Sequence, residues 1–429
     1  MTDSTVLETG FTMDTSSIKF GPGITREVGF EMDRLGCRRV MLVTDPRVAK
    51  LASVAVAAES LRDAGIDFAI YNQSSVEPTD SSFKHAIEFA INGNFDGYVA
   101  VGGGSSIDTA KAANLYATYP ADLLEYVNAP IGKGTPVPGA LKPLIAVPTT
   151  AGTGSETTGV AIFDLVEMRA KTGIAHRSLR PLMGLVDPHN TETLPSMVAA
   201  CSGFDVLCHG LESYTALPFH DREAPKSPAY RPAYQGSNPI SDVWSTRSME
   251  MVAGNIRRAV TDPSDEEARA QMLLAASFAG IGFGNAGVHL CHGMSYPVSG
   301  NVRDFVPPDY PADEPIVPHG MSVILNAPAV FRFTALANPE RHLHAAKLLG
   351  VDTRGAGPED AGDILADWII DLLKDLKIPN GLSAVGYSES DIDALVQGTL
   401  PQHRVTKISP RPVDADSLAT LFRDSMTLW

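Results

Sequence analysis

The chain has 429 residues, 44% of them hydrophobic and 20% charged, with a formal net charge of −16. That length exceeds one ordinary core and fits two domains. The acidic balance argues against a nucleic-acid or anionic-membrane partner, both of which need a basic footprint, and no stretch reaches the roughly 18 uninterrupted apolar residues of a spanning helix.

The chain opens on MTDSTVLETGFTMDTSS, polar and acidic, which matches neither a secretory signal nor an Arg-rich transit peptide. Short apolar runs at 39–45, 68–71, 96–102 and 144–148 read as strands, and the segments between them (49–64, 80–92 and 105–119) have helical spacing. The rhythm implies a parallel sheet covered by helices. The Pro- and Gly-rich stretch 128–143 reads as a loop. After Asp187-Pro188 the pattern changes to helices over 196–217, 241–260, 265–286, 318–338, 340–350, 358–376 and 388–398. Two long loops, 218–240 and 300–318, interrupt them, and loops of that length in a compact domain are usually functional. The expected organisation is an α/β domain over 1–190 and an all-helical domain over 191–429.

Gly102-Gly103-Gly104-Ser105-Ser106 lies between a predicted strand and a predicted helix. Such a run is either a tight turn or a cradle in which a helix N-terminus offers N–H groups to a pyrophosphate; Ser105 or Ser106 would suit a helix cap. A second polar rim, Pro148-Thr149-Thr150-Ala151-Gly152-Thr153-Gly154-Ser155-Glu156, follows the strand at 144–148. Two rims at the carboxyl ends of parallel strands frame the crevice where open α/β sheets bind nucleotides. Asp45 ends the first strand. It is either a turn-starting residue or a carboxylate for ribose hydroxyls, and the latter favours NAD over NADP.

In the helical half, Asp205 and His209 are four residues apart and so share a helix face. With GVHLCHGM at 287–294 and VPHG at 317–320, the chain can assemble one Asp and three His, an N/O donor set suited to Fe²⁺, Zn²⁺ or similar ions. The alternative is a surface ion pair with unrelated histidines, of which the chain has 11. Glu212 falls on the same side of the helix, either behind such a site or exposed. The four cysteines, Cys37, Cys201, Cys208 and Cys291, form no CxxC pair and read as reduced thiols. Cys208 and Cys291 adjoin proposed ligands but point about 100° away from them on a helix, as packing residues do.

Together, GGGSSIDTAK at 102–111, PTTAGTGSE at 148–156, the Asp-x-x-x-His helix and the two His-Gly elements resemble the iron-containing (group III) alcohol dehydrogenases, in the family's order and over nearly the whole chain. The resemblance implies an N-terminal parallel-sheet dinucleotide-binding domain and a C-terminal helical metal-binding domain. It implies metal ligation by Asp205, His209, His292 and His319. It also implies NAD contacts by Asp45, Gly102, Gly103, Gly104, Ser105, Asp108, Thr149, Thr150 and Thr153, with Lys171 at the nicotinamide-side ribose. Three positions depart from the commoner pattern: Tyr296 replaces a second His, Gly159 replaces an Asn, and His292 and His319 are widely spaced. Proton relay therefore falls to Tyr296, His289 or Lys171.

Segments 231–242, 285–300 and 404–412 look like the hydroxyacid-oxoacid transhydrogenase branch. That likeness implies oxidation of 4-hydroxybutyrate with 2-oxoglutarate as acceptor through a bound nicotinamide. A carboxylate substrate needs a cationic anchor, for which Arg231, Arg303, Arg404 and Lys407 are candidates. Competing expectations are an NAD-dependent dehydrogenase releasing NADH, a lyase similar to dehydroquinate synthase, and a non-catalytic nucleotide-binding protein. A small-molecule substrate and a homo-oligomer are expected. The expected compartment is bacterial cytoplasm, or the mitochondrial matrix for a eukaryotic source.

Overall fold

The computed structural model describes residues 6–167 and 170–429; residues 1–5 of the polar N-terminal segment lie outside the described residues. The chain forms two compact units. One comprises Asp14–Leu194 with Pro263–Gly280; the other comprises Pro195–Asp262 and Ile281–Trp429 with the segment ending at Met13.

The first unit holds a six-stranded, all-parallel sheet of β1 (Ser17–Phe20), β2 (Arg39–Val43), β3 (Asp67–Tyr71), β4 (Gly97–Gly102), β5 (Leu144–Pro148) and β8 (Met183–Val186), in the order β1-β8-β5-β4-β2-β3. An antiparallel pair, β6 (Val160–Leu165) and β7 (Ala170–Ala175), stands apart from it. Helices α1 (Val28–Arg34), α2 (Ala52–Asp63), α3 (Asp80–Gly93) and α4 (Gly104–Thr118) cover the sheet. Alternate residues of each strand serve opposite faces. Val40, Leu42, Val99, Val101, Ile145 and Val147 pack with Val28, Met32, Val54 and Leu61. Met41, Val43, Tyr98, Ala100 and Ala146 pack with Ala86, Ala90, Ile107 and Ala110. Burial on both faces explains why these strands read as unbroken apolar runs.

The second unit is helical: α5 (Ser196–Thr215), α6 (Pro239–Thr261), the C-terminal end of α7 (Glu266–Ala286), α8 (Leu290–Gly300), α9 (His319–Ile324), α10 (Ala327–Ala335), α11 (Pro339–Leu348), α12 (Ala361–Asp375), α13 (Ile392–Thr399), α14 (His403–Thr406) and α15 (Ala415–Asp424). Among the described residues no single helix is long and apolar enough to cross a membrane.

Two segments depart from a single cut at 190. The N-terminal arm binds loop 218–240: Leu7 bridges Glu223, and the Thr12 amide donates to Gln235 Oε1 at 2.8 Å. The start of α7 belongs to the sheet unit because Gly154 lies against it, so closely that a Cβ there would sit 2.8 Å from the Ala276 carbonyl oxygen. Ser277 also donates to the buried Glu156 carboxylate at 2.7 Å.

Candidate functional site

In the sheet unit, β2 runs on to β3 on one side while β4 pairs on its other side, so the strand order reverses between β2 and β4. Ligands of open α/β sheets bind outside the carboxyl ends of strands at such a point. Asp45 follows β2, the glycine run follows β4, and Thr149 follows β5. Asp45 Oδ1 accepts from the Arg47 and Val48 amides at 2.8 and 2.9 Å, while Oδ2 lies toward Gly102. The turn contacts thus occupy only one oxygen of the carboxylate.

Packing is tight at two of the three glycines, while a Cβ on Gly103 would meet only an ordinary contact. A Cβ on Gly102 would meet Ser106 Oγ at 2.6 Å, and one on Gly104 would meet Thr153 Cγ2 at 2.5 Å. The Thr149 amide donates to the Gly102 carbonyl at 3.0 Å, and Thr150 lies beside Gly103. The two rims therefore touch, and Gly102, Gly103, Gly104, Thr149, Thr150 and Thr153 are brought together. The cap of α4 is Gly103, with no side-chain cap; Ser105 and Ser106 lie inside the first turn, contrary to their expected capping role. A helix N-terminus without a side-chain cap keeps N–H groups available to an anion.

Two expected cofactor contacts are otherwise employed. Asp108 accepts from Ser155 Oγ at 2.5 Å and from the Ile162 amide at 2.9 Å, so it fastens the Thr-rich loop to α4. Lys111, fully buried, reinforces this by donating to Ser155 Oγ at 2.6 Å and the Val160 carbonyl at 2.8 Å. Lys171 stands opposite Asp164 across β6–β7, and its Nζ lies 2.5 Å from Glu77 Oε2 and 3.1 Å from Asp164. Burial alone would lower the Lys171 ammonium, but Glu77 and Asp164 raise it above the ordinary range. It is a fixed cation, unsuited to accept a proton.

In the helical unit, α5 presents Asp205, His209 and Glu212 along one face. Asp205 Oδ1 lies 3.3 Å from His292 Nε2, 3.6 Å from His209 Nε2 and 3.7 Å from His319 Nε2. A tetrahedral ion with bonds of about 2.1 Å separates its donor atoms by about 3.4 Å. Asp205 Oδ1 and His292 Nε2 are buried without a hydrogen-bond partner, an arrangement that costs stability unless something else satisfies them. Asp205, His209 and His292 are buried, whereas the His319 side chain is 26% exposed. Burial pushes the His209 imidazole down to about 3. Burial would raise the Asp205 carboxyl, but His209, His319 and His292 hold it well below its usual range. Burial would lower the His292 imidazole, but Glu212 and Asp205 raise it well above its ordinary range, so a metal bound at Nε2 would displace a proton. The donor types and spacing suit a divalent ion, with Asp205, His209 and His292 clustered and His319 Nε2 3.7 Å from Asp205 Oδ1.

The His-Gly pairs have a steric reason. A Cβ on Gly320 would fall 1.9 Å from the Cys201 carbonyl oxygen and 3.1 Å from Asp205 Cβ; its absence lets α9 begin against α5 and sets His319 beside Asp205. Gly293 likewise lies against Val405 and Thr406 of α14. Glu212 is fully buried. Its Oε1 accepts from the Cys291, His289 and His292 amides at 2.7, 3.1 and 3.4 Å, and its Oε2 from His292 Nδ1. This carboxylate caps α8 and turns His292 Nε2 toward Asp205. Its exposure was left open by the sequence; the face it shares with Asp205 was the signal.

Comparison with known proteins shows the family. Residues 15–188 match the iron-containing alcohol dehydrogenases, and residues 229–426 match the C-terminal part of the Fe-containing alcohol dehydrogenase family. The chain belongs to the iron-containing alcohol dehydrogenase family. It is 58% identical over 98% of its length to the Homo sapiens protein named mitochondrial hydroxyacid-oxoacid transhydrogenase, covering 90% of that protein. It is 56% identical over 98% of its length to the probable mitochondrial hydroxyacid-oxoacid transhydrogenase of Dictyostelium discoideum, covering 79% of it. Among solved structures, a 1,3-propanediol oxidoreductase superposes with a TM-score of 0.85 at 27% identity, with 97% of this chain and all of that one covered. The alcohol dehydrogenase of Oenococcus oeni gives 0.84 at 26% over the same shares. This family member is an oxidoreductase with the family's α/β and helical architecture.

The remaining candidates separate on burial and pairing. His289 is fully buried behind Glu212, with Nε2 2.9 Å from Thr215 Oγ1. Arg231 is bound to Glu8 at 3.1 Å, Arg303 is mostly exposed and paired with Asp391, and Lys407 is exposed. None of the three lies with the donor cluster as an unpaired buried cation. Arg404 donates to Tyr296 Oη at 2.6 Å and lies over the Tyr234 ring at 4.7 Å. All four cysteines are free and buried, and burial pushes Cys201 up to about 12.

Proposed function

We propose that this protein is a hydroxyacid-oxoacid transhydrogenase that oxidises a small hydroxy acid such as 4-hydroxybutyrate and reduces an oxo acid such as 2-oxoglutarate. The observation that carries the reading is the convergence of three imidazole nitrogens within 3.3–3.7 Å of one Asp205 oxygen, in a chain 58% identical to proteins bearing that name. A divalent ion at Asp205, His209, His292 and His319, iron by family with zinc as the alternative, supplies Lewis-acid polarisation of a substrate oxygen, and NAD supplies the hydride carrier. Glu212 holds the His292 tautomer. The glycine and threonine rims hold the pyrophosphate, with Asp108 and Lys111 keeping the Thr-rich loop in place. Asp45 Oδ2 takes the adenosine ribose hydroxyls. The exchange balances: the donor loses a hydride and a proton, and the acceptor gains both.

The test supplies metal-loaded protein with 4-hydroxybutyrate and 2-oxoglutarate, without added NAD. Formation of succinic semialdehyde and 2-hydroxyglutarate in equal amounts supports transhydrogenation. Dependence on free NAD with stoichiometric NADH release overturns it in favour of an ordinary dehydrogenase. The relatives' mitochondrial location favours the matrix for a eukaryotic source, with bacterial cytoplasm as the other compartment, and a homo-oligomer fits the family.

A further inference from the structure

We infer that Arg404, held by Tyr296 and Tyr234, is a single carboxylate anchor that serves the hydroxy-acid donor and the oxo-acid acceptor in turn. The inference rests on the transhydrogenase reading for the identity of the two acids, and on the helical unit alone for the site.

Among the described residues no carboxylate pairs with Arg404. Its Nη2 donates to Tyr296 Oη at 2.6 Å, its guanidinium lies 4.7 Å from the Tyr234 ring centre, and its Nη1 is buried without a hydrogen-bond partner. A buried guanidinium normally meets an ionised acid, because an uncompensated charge away from water is costly. The neighbours here are two phenols, which orient the cation without neutralising it. Burial pushes the Tyr234 hydroxyl up to about 12, so it remains a neutral donor. Tyr296 Oη accepts from Arg404, which leaves the phenol's own proton to donate. An Arg N–H and a tyrosine O–H side by side match the two oxygens of a carboxylate.

The anchor is tied to the donor cluster. Tyr296 follows His292 by one turn of α8, and α14, which carries Arg404, packs on α8 at Gly293, where a Cβ would stand 3.2 Å from Val405 Cγ2. On the other side, Tyr234 meets Phe283 edge-on at 6.4 Å, and Phe283 stacks on His209 at 3.9 Å. One helical turn rises about 5.4 Å. In 4-hydroxybutyrate the carboxylate carbon lies three bonds from the reacting carbon. In 2-oxoglutarate the distal carboxylate carbon lies three bonds from the reacting ketone carbon. At about 1.5 Å per C–C bond both chains extend about 4 Å, comparable with that turn. One fixed cation can therefore hold either acid with its reacting carbon in the same place, which a site alternating between donor and acceptor requires.

The experiment compares wild type, Arg404→Gln, Arg404→Lys and Tyr296→Phe. Steady-state KM is measured for 4-hydroxybutyrate and 2-oxoglutarate, kcat/KM for 1-butanol with added NAD, and butyrate binding by calorimetry. Arg404→Gln is expected to raise both acid KM values about 100-fold and to abolish butyrate binding, while changing 1-butanol turnover less than about threefold. Arg404→Lys should recover part of the loss, and Tyr296→Phe should raise both KM values about tenfold. A rise for only one acid, or an equal loss on 1-butanol, overturns the shared anchor. Should Arg404→Gln fail to fold, Tyr296→Phe with unchanged acid KM values overturns it. A wild type that binds butyrate through Arg404 but exchanges no hydride between the acids fails the transhydrogenase reading and leaves the anchor standing.

Discussion

Glu212 and His292 are joined by a buried hydrogen bond from the imidazole Nδ1 to the carboxylate Oε2, and the same carboxylate receives three amides at the start of α8. One residue thereby fixes both the helix that carries a donor and the ring orientation of that donor. Burial would raise Glu212, but His292 and His289 hold it below its ordinary value, so it is ionised at neutral pH. Glu212→Gln keeps an oxygen for the amides and removes the charge opposite Nδ1. Loss of such a partner costs about 10–100-fold in metal affinity. Competitive titration against a chelator should show a drop in that range; unchanged affinity would mean that Glu212 acts only as a helix cap.

Asp45 uses one carboxylate oxygen for the turn that follows β2. Oδ1 is engaged by the Arg47 and Val48 amides, and Asp45→Asn retains that acceptor. The variant should keep its thermal midpoint while losing the negative charge that repels a 2′-phosphate. Calorimetry on nucleotide-free protein is expected to show NAD weakened several-fold and NADP strengthened at least tenfold. Equal affinities in wild type and variant would assign Asp45 to the turn alone.

Much of this was legible in the chain because it is local. Strands β2, β4 and β5 are buried on both faces and so appear as apolar runs, and the glycines follow them directly. The antiparallel pair β6–β7 escaped because its pattern is broken by Asp164 and Lys171, which pair across the strands. Helix α8 was hidden by its His, Gly and Pro297, and the expected helix over 318–338 is divided in two around Leu325 and Asn326. Choosing among the arginines required contacts far apart in sequence. Glu8 disposes of Arg231 across 223 positions, and Tyr296 meets Arg404 across 108. No periodicity encodes such pairings.

Gly320→Ala sets two effects against each other. Alanine favours a helix over glycine by about 1 kcal/mol. Here its methyl group would lie 1.9 Å from the Cys201 carbonyl oxygen, a backbone atom in α5 that cannot turn aside. Overpacking of this kind costs about 1–3 kcal/mol, so the clash prevails and α9 must shift away from Asp205. Urea denaturation should report a net loss, and metal analysis should show less ion retained at equal total protein. A stabilised variant with full metal content would show that the His-Gly pairing is only a helix-start preference.

His342 gives the apoprotein an acid sensitivity that can be measured apart from the metal ligands. It is buried between Thr334 Oγ1, 2.9 Å from Nε2, and the Asn338 carbonyl, 3.0 Å from Nδ1. Burial pushes its imidazole down to about 4 from an ordinary 6.5. Between those values the unfolded chain binds a proton that the folded chain refuses, so stability falls as pH falls, with a limiting slope of about 1.4 kcal/mol per pH unit for one proton. Above about pH 7 the group is neutral in both states and contributes no slope. His342→Gln removes the titration while leaving polar atoms for Thr334 and Asn338. Urea unfolding of metal-free wild type and variant should therefore give parallel stability curves above pH 7 that converge as the pH drops from 6.5 toward 4.5. Curves that stay parallel through that window would place the His342 proton equilibrium at its ordinary value in the folded state.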